Sequence, residues 1–192
     1  FQRSGTAGQV WASTGTGSDP VYVGGMTLIS SGSVSSAATL DLALPSGYKR
    51  FVLYLDDFVP ATNSVGFYLR YSFDNGSTYK ATAADYYWTM TYSNTSGTGG
   101  YYDSSAGVTN AINVGASTAI SNASTSVNSY IVDLWPAAVS KRVSTLIHGS
   151  QQATATFVNS MESASSIYNG PLTNIRLLFS SGNIATGTYA LY

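Results

Sequence analysis

Phe51-Val52-Leu53-Tyr54-Leu55 decides the fold. In an extended chain successive side chains point to opposite faces, so Phe51, Leu53 and Leu55 make one apolar face and Val52 and Tyr54 the other. Gly66-Phe67-Tyr68-Leu69-Arg70-Tyr71 repeats the arrangement, with one apolar face and one mixed or aromatic face. Both segments read as strands with one side turned to a core.

The same alternation, or short β-branched and aromatic runs closed by Gly, Pro, Asn or Ser, recurs from Met26 onward. It predicts strands at Thr27–Val34, Ala38–Leu44, Arg50–Phe58, Val65–Phe73, Asp85–Tyr92, Val108–Val114, Val127–Leu134, Arg142–His148, Ala153–Ser160, Leu172–Phe179 and Gly187–Leu191. No segment keeps a helical stripe. Many short strands of this kind imply an all-β fold, an antiparallel jelly-roll-like β-sandwich, over residues 26–192.

Residues 1–25 differ: they are rich in Gly, Ser and Thr, and isolated Val10, Trp11, Val21 and Tyr22 are too few to bury a face of their own. We expect an extended arm that docks on another chain or module through those four residues. The chain opens on Phe1 rather than Met, so residues are expected before it.

Composition narrows the function. Charged residues are only 9% of the 192, against roughly 25% in an average soluble chain, so the surface must be polar through Ser, Thr, Asn and the 15 Tyr. A net charge of -1 leaves no basic field to release counterions from phosphate, which argues against nucleic acid as a partner. No apolar run reaches the ~20 residues of a membrane helix, so membrane insertion is not expected either. With no Cys, neither disulfides nor thiolate metal sites are available, as suits assembly in a reducing cytoplasm.

No catalytic set, metal site or cofactor is expected. His148 is the single histidine and has no nucleophile motif around it. Asp56 and Asp57 are adjacent, and strand alternation would send them to opposite faces, one capping a turn and one solvated. Asp41, Asp85, Asp103 and Asp133 stand alone in sequence, which leaves a glycosidase pair open but unsigned.

Aromatic residues point to recognition. Tyr and Trp offer a rigid apolar face with a polar rim, suited to sugar rings and to adaptable protein contacts. The stretch Ser93–Gly107 reads as a long exposed loop, and we expect ligand contacts from Tyr92, Tyr101, Tyr102 and Trp88. Alternation turns Tyr87 away from Tyr86 and Trp88, so about half of that cluster belongs to the core.

Ser72-Phe73-Asp74-Asn75-Gly76-Ser77-Thr78-Tyr79 matches Ser-x-Asp-x-Gly-x-Thr-aromatic, the Asp box of sialidases and other β-proteins. We read Ser72, Asp74, Gly76, Thr78 and Tyr79 as a structural hairpin turn: the carboxylate accepts backbone N–H groups, the glycine takes a positive φ and the aromatic pins the turn.

Gly5-Thr6-Ala7-Gly8-Gln9-Val10-Trp11-Ala12-Ser13-Thr14-Gly15-Thr16-Gly17-Ser18-Asp19-Pro20-Val21-Tyr22 resembles a module that recurs in tailed-phage fibre and tail proteins, with Trp11 where Leu is usual and Tyr22 where Trp is usual. More weakly, Phe58–Thr62, Leu69–Gly76 and Gly182–Tyr192 are similar to C-terminal β-domains of phage fibre and head-fibre proteins. That resemblance implies a structural virion protein, commonly trimeric. Its arm would join other virion proteins and its β-sandwich head would face outward at the virion surface, as a fibre or spike tip that meets a host glycan or protein, or as a capsid decoration.

Overall fold

The structure, a computed structural model, describes residues 9–12, 21–103, 110–115, 120–137, 140–154 and 156–192; the side chains of 9–12, 21–24 and Asp103 lie outside that description. In chain order the strands are β1 Gln9–Ala12, β2 Val21–Gly24, β3 Ser30–Ala37, β4 Leu40–Ala43, β5 Phe51–Pro60, β6 Phe67–Ser72 and β7 Tyr86–Asn94. They continue as β8 Gly99–Asp103, β9 Ile112–Asn113, β10 Ser129–Trp135, β11 Arg142–Gln152, β12 Phe157–Asn169, β13 Asn174–Phe179 and β14 Ile184–Leu191.

Two antiparallel sheets pack into a β-sandwich. One has eight strands in the order β3-β14-β5-β10-β11-β12-β7-β8, the other four in the order β4-β13-β6-β9. Phe51, Leu53 and Leu55 are buried, as their alternation requires, and so are Phe67, Leu69 and Tyr71 of the facing sheet. Phe67 lies at the centre of the packing, with ring centroids 5.5 Å from Phe58, 5.2 Å from Tyr130 and 4.9 Å from Phe179. Burying side chains of this size contributes about 1.5–3 kcal/mol each. Gly149 leaves room for the Tyr130 ring, because a Cβ there would come within 2.9 Å of it.

Buried polar groups tie the two sheets together. The Tyr71 hydroxyl of β6 is hydrogen-bonded to Thr145 Oγ1 of β11. The Tyr86 hydroxyl of β7 accepts from the Tyr71 backbone N–H at 2.8 Å and donates to the Lys80 carbonyl at 2.9 Å. One phenol thus satisfies two backbone groups that would otherwise be stranded in the interior.

The structure corrects the sequence reading in several places. Residues 93–103 are not a loop: β7 runs to Asn94, and the Asn94 side chain closes a tight turn by accepting from Ser96 N at 3.0 Å and Thr98 N at 3.1 Å. β8 then returns along β7 as the edge strand, its Gly100 lying under the Tyr92 ring. The strand expected at Ala153–Ser160 is instead the long β12, Phe157–Asn169. Its Ser and Ala positions carry little apolar signal but pair with β11 on one side and β7 on the other.

Of the N-terminal segment the structure describes residues 9–12 and 21–24, which form a backbone ladder. β1 and β2 pair antiparallel as a sheet of their own, with Trp11 opposite Tyr22, Val10 opposite Val23 and Ala12 opposite Val21. Docking by Val10, Trp11, Val21 and Tyr22 concerns side chains outside the described residues, as does Val108 of the strand expected at Val108–Val114, of which β9 occupies Ile112–Asn113.

Candidate recognition surface

The eight-stranded sheet has an inner face on the core and an outer face in solvent. Register places Ala190, Tyr54, Ile131, His148, Met161, Thr91 and Tyr101 in one line across seven strands, all on the outer face. At a spacing of ~4.8 Å per strand, Tyr54 to Tyr101 spans about 24 Å. The large side chains in this line are exposed: Tyr54 40%, Ile131 40%, Met161 58% and Tyr101 71%. Leu146 and Tyr87 flank it on the same face and are also exposed. Scattered exposed apolar residues are ordinary, whereas a contiguous row rimmed by Ser and Thr marks a contact surface.

The four aromatic residues expected to meet a ligand do not share a face. Tyr101 belongs to the outer row. Trp88 points inward, on the side of buried Tyr86 and Met90, and packs against both hydrophobic clusters. Tyr92 also leans on the Met90–Ala153–Val158 cluster, while its ring stacks on Tyr102 with centroids 5.1 Å apart and planes 8° from parallel. The separation follows from β8 being a strand, since Tyr101 and Tyr102 as neighbours must diverge. Tyr54, Ile131 and Met161 were not expected at a site. Their signal was an apolar residue at the outward position of an otherwise amphipathic strand.

The Asp box folds as its residues dictate. Ser72 Oγ donates to Asp74 Oδ1 at 2.7 Å and accepts from Gly76 N at 3.0 Å, while Thr78 N donates to Asp74 Oδ1 at 2.9 Å. The Ser72 and Thr78 donors hold the Asp74 carboxyl down at about 2. Asn75 and Gly76 take φ values of 58° and 81°, the left-handed pair that a tight turn of this kind requires. The Arg176 guanidinium sits 3.9 Å from the centroid of the Tyr79 ring and is held there by Asp41, with nitrogen–oxygen distances of 2.7 and 2.6 Å. The turn is not a hairpin between paired strands. β6 enters it from the four-stranded sheet and β7 leaves into the eight-stranded one, so the box marks a crossover.

The acids have local tasks. Asp41 pairs with Arg176, Asp133 with Arg50, and Asp56 accepts from Ser129. Asp85 is buried and accepts from Thr82 and Tyr168. Asp57 has φ 54° beside a register shift between β5 and β14, and this bulge leaves Asp56 and Asp57 both exposed, not on opposite faces. His148 stands on the outer face between Ile131 and Met161. Among the described residues no cluster of three or more His, Cys, Asp or Glu stands in metal-binding geometry.

Comparison with family models, curated proteins and solved structures gives no match to this chain.

Proposed function

We propose that this chain is a phage virion structural protein, a fibre or spike tip that attaches to the host cell surface, and that its work is binding rather than catalysis. The observation that carries the reading is the outer row from Tyr54 through Ile131, His148 and Met161 to Tyr101, an exposed and mainly aromatic and apolar line that the Arg50–Asp133 ion pair and Arg142 border but do not interrupt. Tyrosine and methionine suit a binding surface, because they offer contact area without the desolvation cost of charges. The N-terminal resemblance to tailed-phage modules supports a place on a particle. A homotrimer, which the same resemblance implies, would multiply a weak contact through effective concentration.

The reading is tested with the full chain, fluorescently labelled and titrated on a panel of bacterial strains. Saturable binding to some strains and not others, reduced at least tenfold when Tyr54, Met161 and Tyr101 are together replaced by Ala, is the expected result. Absence of binding to every strain would reject attachment and leave decoration of the particle as the role.

A further inference from the structure

The end of the sandwich where β4 leaves and β5 and β13 enter holds a cavity of about 550 Å³, open to solvent. Its size falls within the range of ~300–1,000 Å³ typical of small-molecule sites. Leu44, Phe51 and Leu172 are buried beneath it as an apolar floor. Pro45, Pro136 and Pro171 stand in its wall, three of the chain's five prolines, each with φ locked by its own ring. A pocket walled in this way loses little backbone entropy when it is filled.

The polar side chains of the lining are Ser46, Asn75, Thr173 and Asn174, with Tyr48 exposed at the mouth, tilted against Phe51 at 5.6 Å. Neighbouring structure fixes Thr173 and the Asn75 backbone in place. Leu44 N donates to the Thr173 carbonyl at 2.8 Å, and Thr173 Oγ1 donates to the Ser72 carbonyl at 3.1 Å while accepting from Asn75 N at 2.9 Å. The Asp box therefore delivers Asn75 to the pocket at a fixed height. No described residue hydrogen-bonds the side-chain amide of Asn75 or Asn174, so each keeps two donors and an acceptor for an incoming group.

Among the described residues no charged side chain lines the cavity. An anionic or cationic ligand would surrender its hydration here without a counter-charge. A neutral ring bearing several hydroxyls matches all three features: amides that both donate and accept, an aromatic ring for its apolar face, and an apolar floor. We infer that this cavity is a binding site for a neutral saccharide unit, separate from the outer row and at another part of the molecule. The inference rests on the attachment reading only in that a surface glycan would be the natural source of such a unit.

The test is a titration of the full ¹⁵N-labelled chain with N-acetylglucosamine, glucose and galactose, with N-acetylneuraminic acid as the charged control. Amide shifts at Tyr48, Asn75, Thr173 and Asn174 with at least one neutral sugar, at an affinity on the order of 1 mM, are expected. Tyr48→Ala and Asn75→Gly should each weaken that binding about tenfold; the glycine keeps the positive φ of the turn, and Tyr48 is exposed, so both variants should fold. Tyr101→Ala should leave the shifts unchanged. Lack of shifts with all three neutral sugars, or an equal response to the charged one, would overturn the inference. A chain that binds cells with Tyr48→Ala as well as with wild type, and shows no sugar shifts, loses the pocket and keeps the attachment reading. A chain that shows the shifts but binds no cell loses the attachment reading and keeps the pocket.

Discussion

The Tyr86 hydroxyl bridges two backbone groups of a chain segment it does not belong to, accepting from Tyr71 N and donating to the carbonyl of Lys80. Lys80 N in turn donates to the Tyr71 carbonyl at 2.9 Å, so the two ends of the Asp-box loop are clamped to one another and to β7. Tyr86→Phe removes the bridge without changing the packing shape. The buried Tyr71 N–H is then unsatisfied, and a loss of about 1–3 kcal/mol is expected. A urea midpoint measured for the variant, with an unchanged slope, checks it; a loss under ~0.5 kcal/mol would mean that water replaces the phenol.

Glu162 is buried on the inner face, and neither carboxylate oxygen has a hydrogen-bond partner. Ile147 of β11 and Met90 of β7 lie beside it in register, and a charge on it would bear on the Tyr71 phenol, whose ionisation it disfavours. Burial raises its carboxyl well above the ordinary value of 4.5. The folded state thus holds a proton that the unfolded state gives up, and stability is full below about 4.5 and falls as pH rises towards the folded value. The slope should approach ~1.4 kcal/mol per pH unit in that window. Glu162→Gln should flatten it and stabilise the protein at neutral pH, as read from denaturation midpoints between acidic and neutral pH; equal slopes in both proteins would refute the assignment.

Asp74 acts with the opposite sign. Its folded carboxyl is held at about 2, below the ordinary 3.8, so its contribution is present above 3.8 and disappears as pH falls through 2. Asp74→Asn should melt earlier than wild type at neutral pH and converge with it at the acid end. Amide exchange at Thr78, whose N–H the carboxylate accepts, should quicken in the variant. Unchanged Thr78 protection would show that the turn stands without the carboxylate.

Much of the sandwich was legible because its central strands alternate cleanly. Phe51 through Leu55 and Phe67 through Tyr71 declare both their strand character and their buried face. β12 beyond Ser160 was not legible: Met161-Glu162-Ser163-Ala164-Ser165-Ser166 places its one acid inward and its one large apolar residue outward, the inverse of the usual pattern. β8 was hidden for a related reason. Gly99 and Gly100 read as loop, yet the second of them makes room for the Tyr92 ring. The outer row could not be seen at all from one strand at a time, since it is a property of register, and register is set by pairings between residues as distant as Tyr54 and Ile131. The pocket is built by segments from four parts of the chain, of which only the Asp box carried a motif.

Tyr92 and Tyr102 offer a test of how the edge strand is held. Their stacked rings join β7 to β8, which among the described residues has no partner on its other side. An aromatic pair contributes about 0.5–1.5 kcal/mol beyond the area it buries, and on an edge strand that is enough to decide local opening. Tyr102→Ala should raise amide exchange along β8 about tenfold while leaving β10 and β11 unaffected. Uniform exchange changes across the sheet would mean that the edge unfolds only with the whole domain.

The outer row separates binding from stability. Met161 and Tyr101 are each more than half exposed, so truncating either sacrifices little buried area and should alter stability by within ~0.5 kcal/mol, whereas Tyr54, 40% exposed and set edge-on against Tyr192 at 5.9 Å, should cost more. Binding should respond differently, because a contact surface concentrates its energy in a few large side chains. Met161 lies between His148 and Thr91 near the middle of the line, whereas Tyr54 and Tyr101 lie towards its ends. Central residues of an interface are the better shielded from water, so Met161→Ala should weaken cell binding more than Tyr54→Ala. Tyr101→Ala, at the sheet edge, should weaken it least if the partner centres on the row, and most if the partner grips the edge. Single-substitution titrations on a strain that binds wild type read the order directly, and three equal, negligible effects would remove the row from the contact altogether.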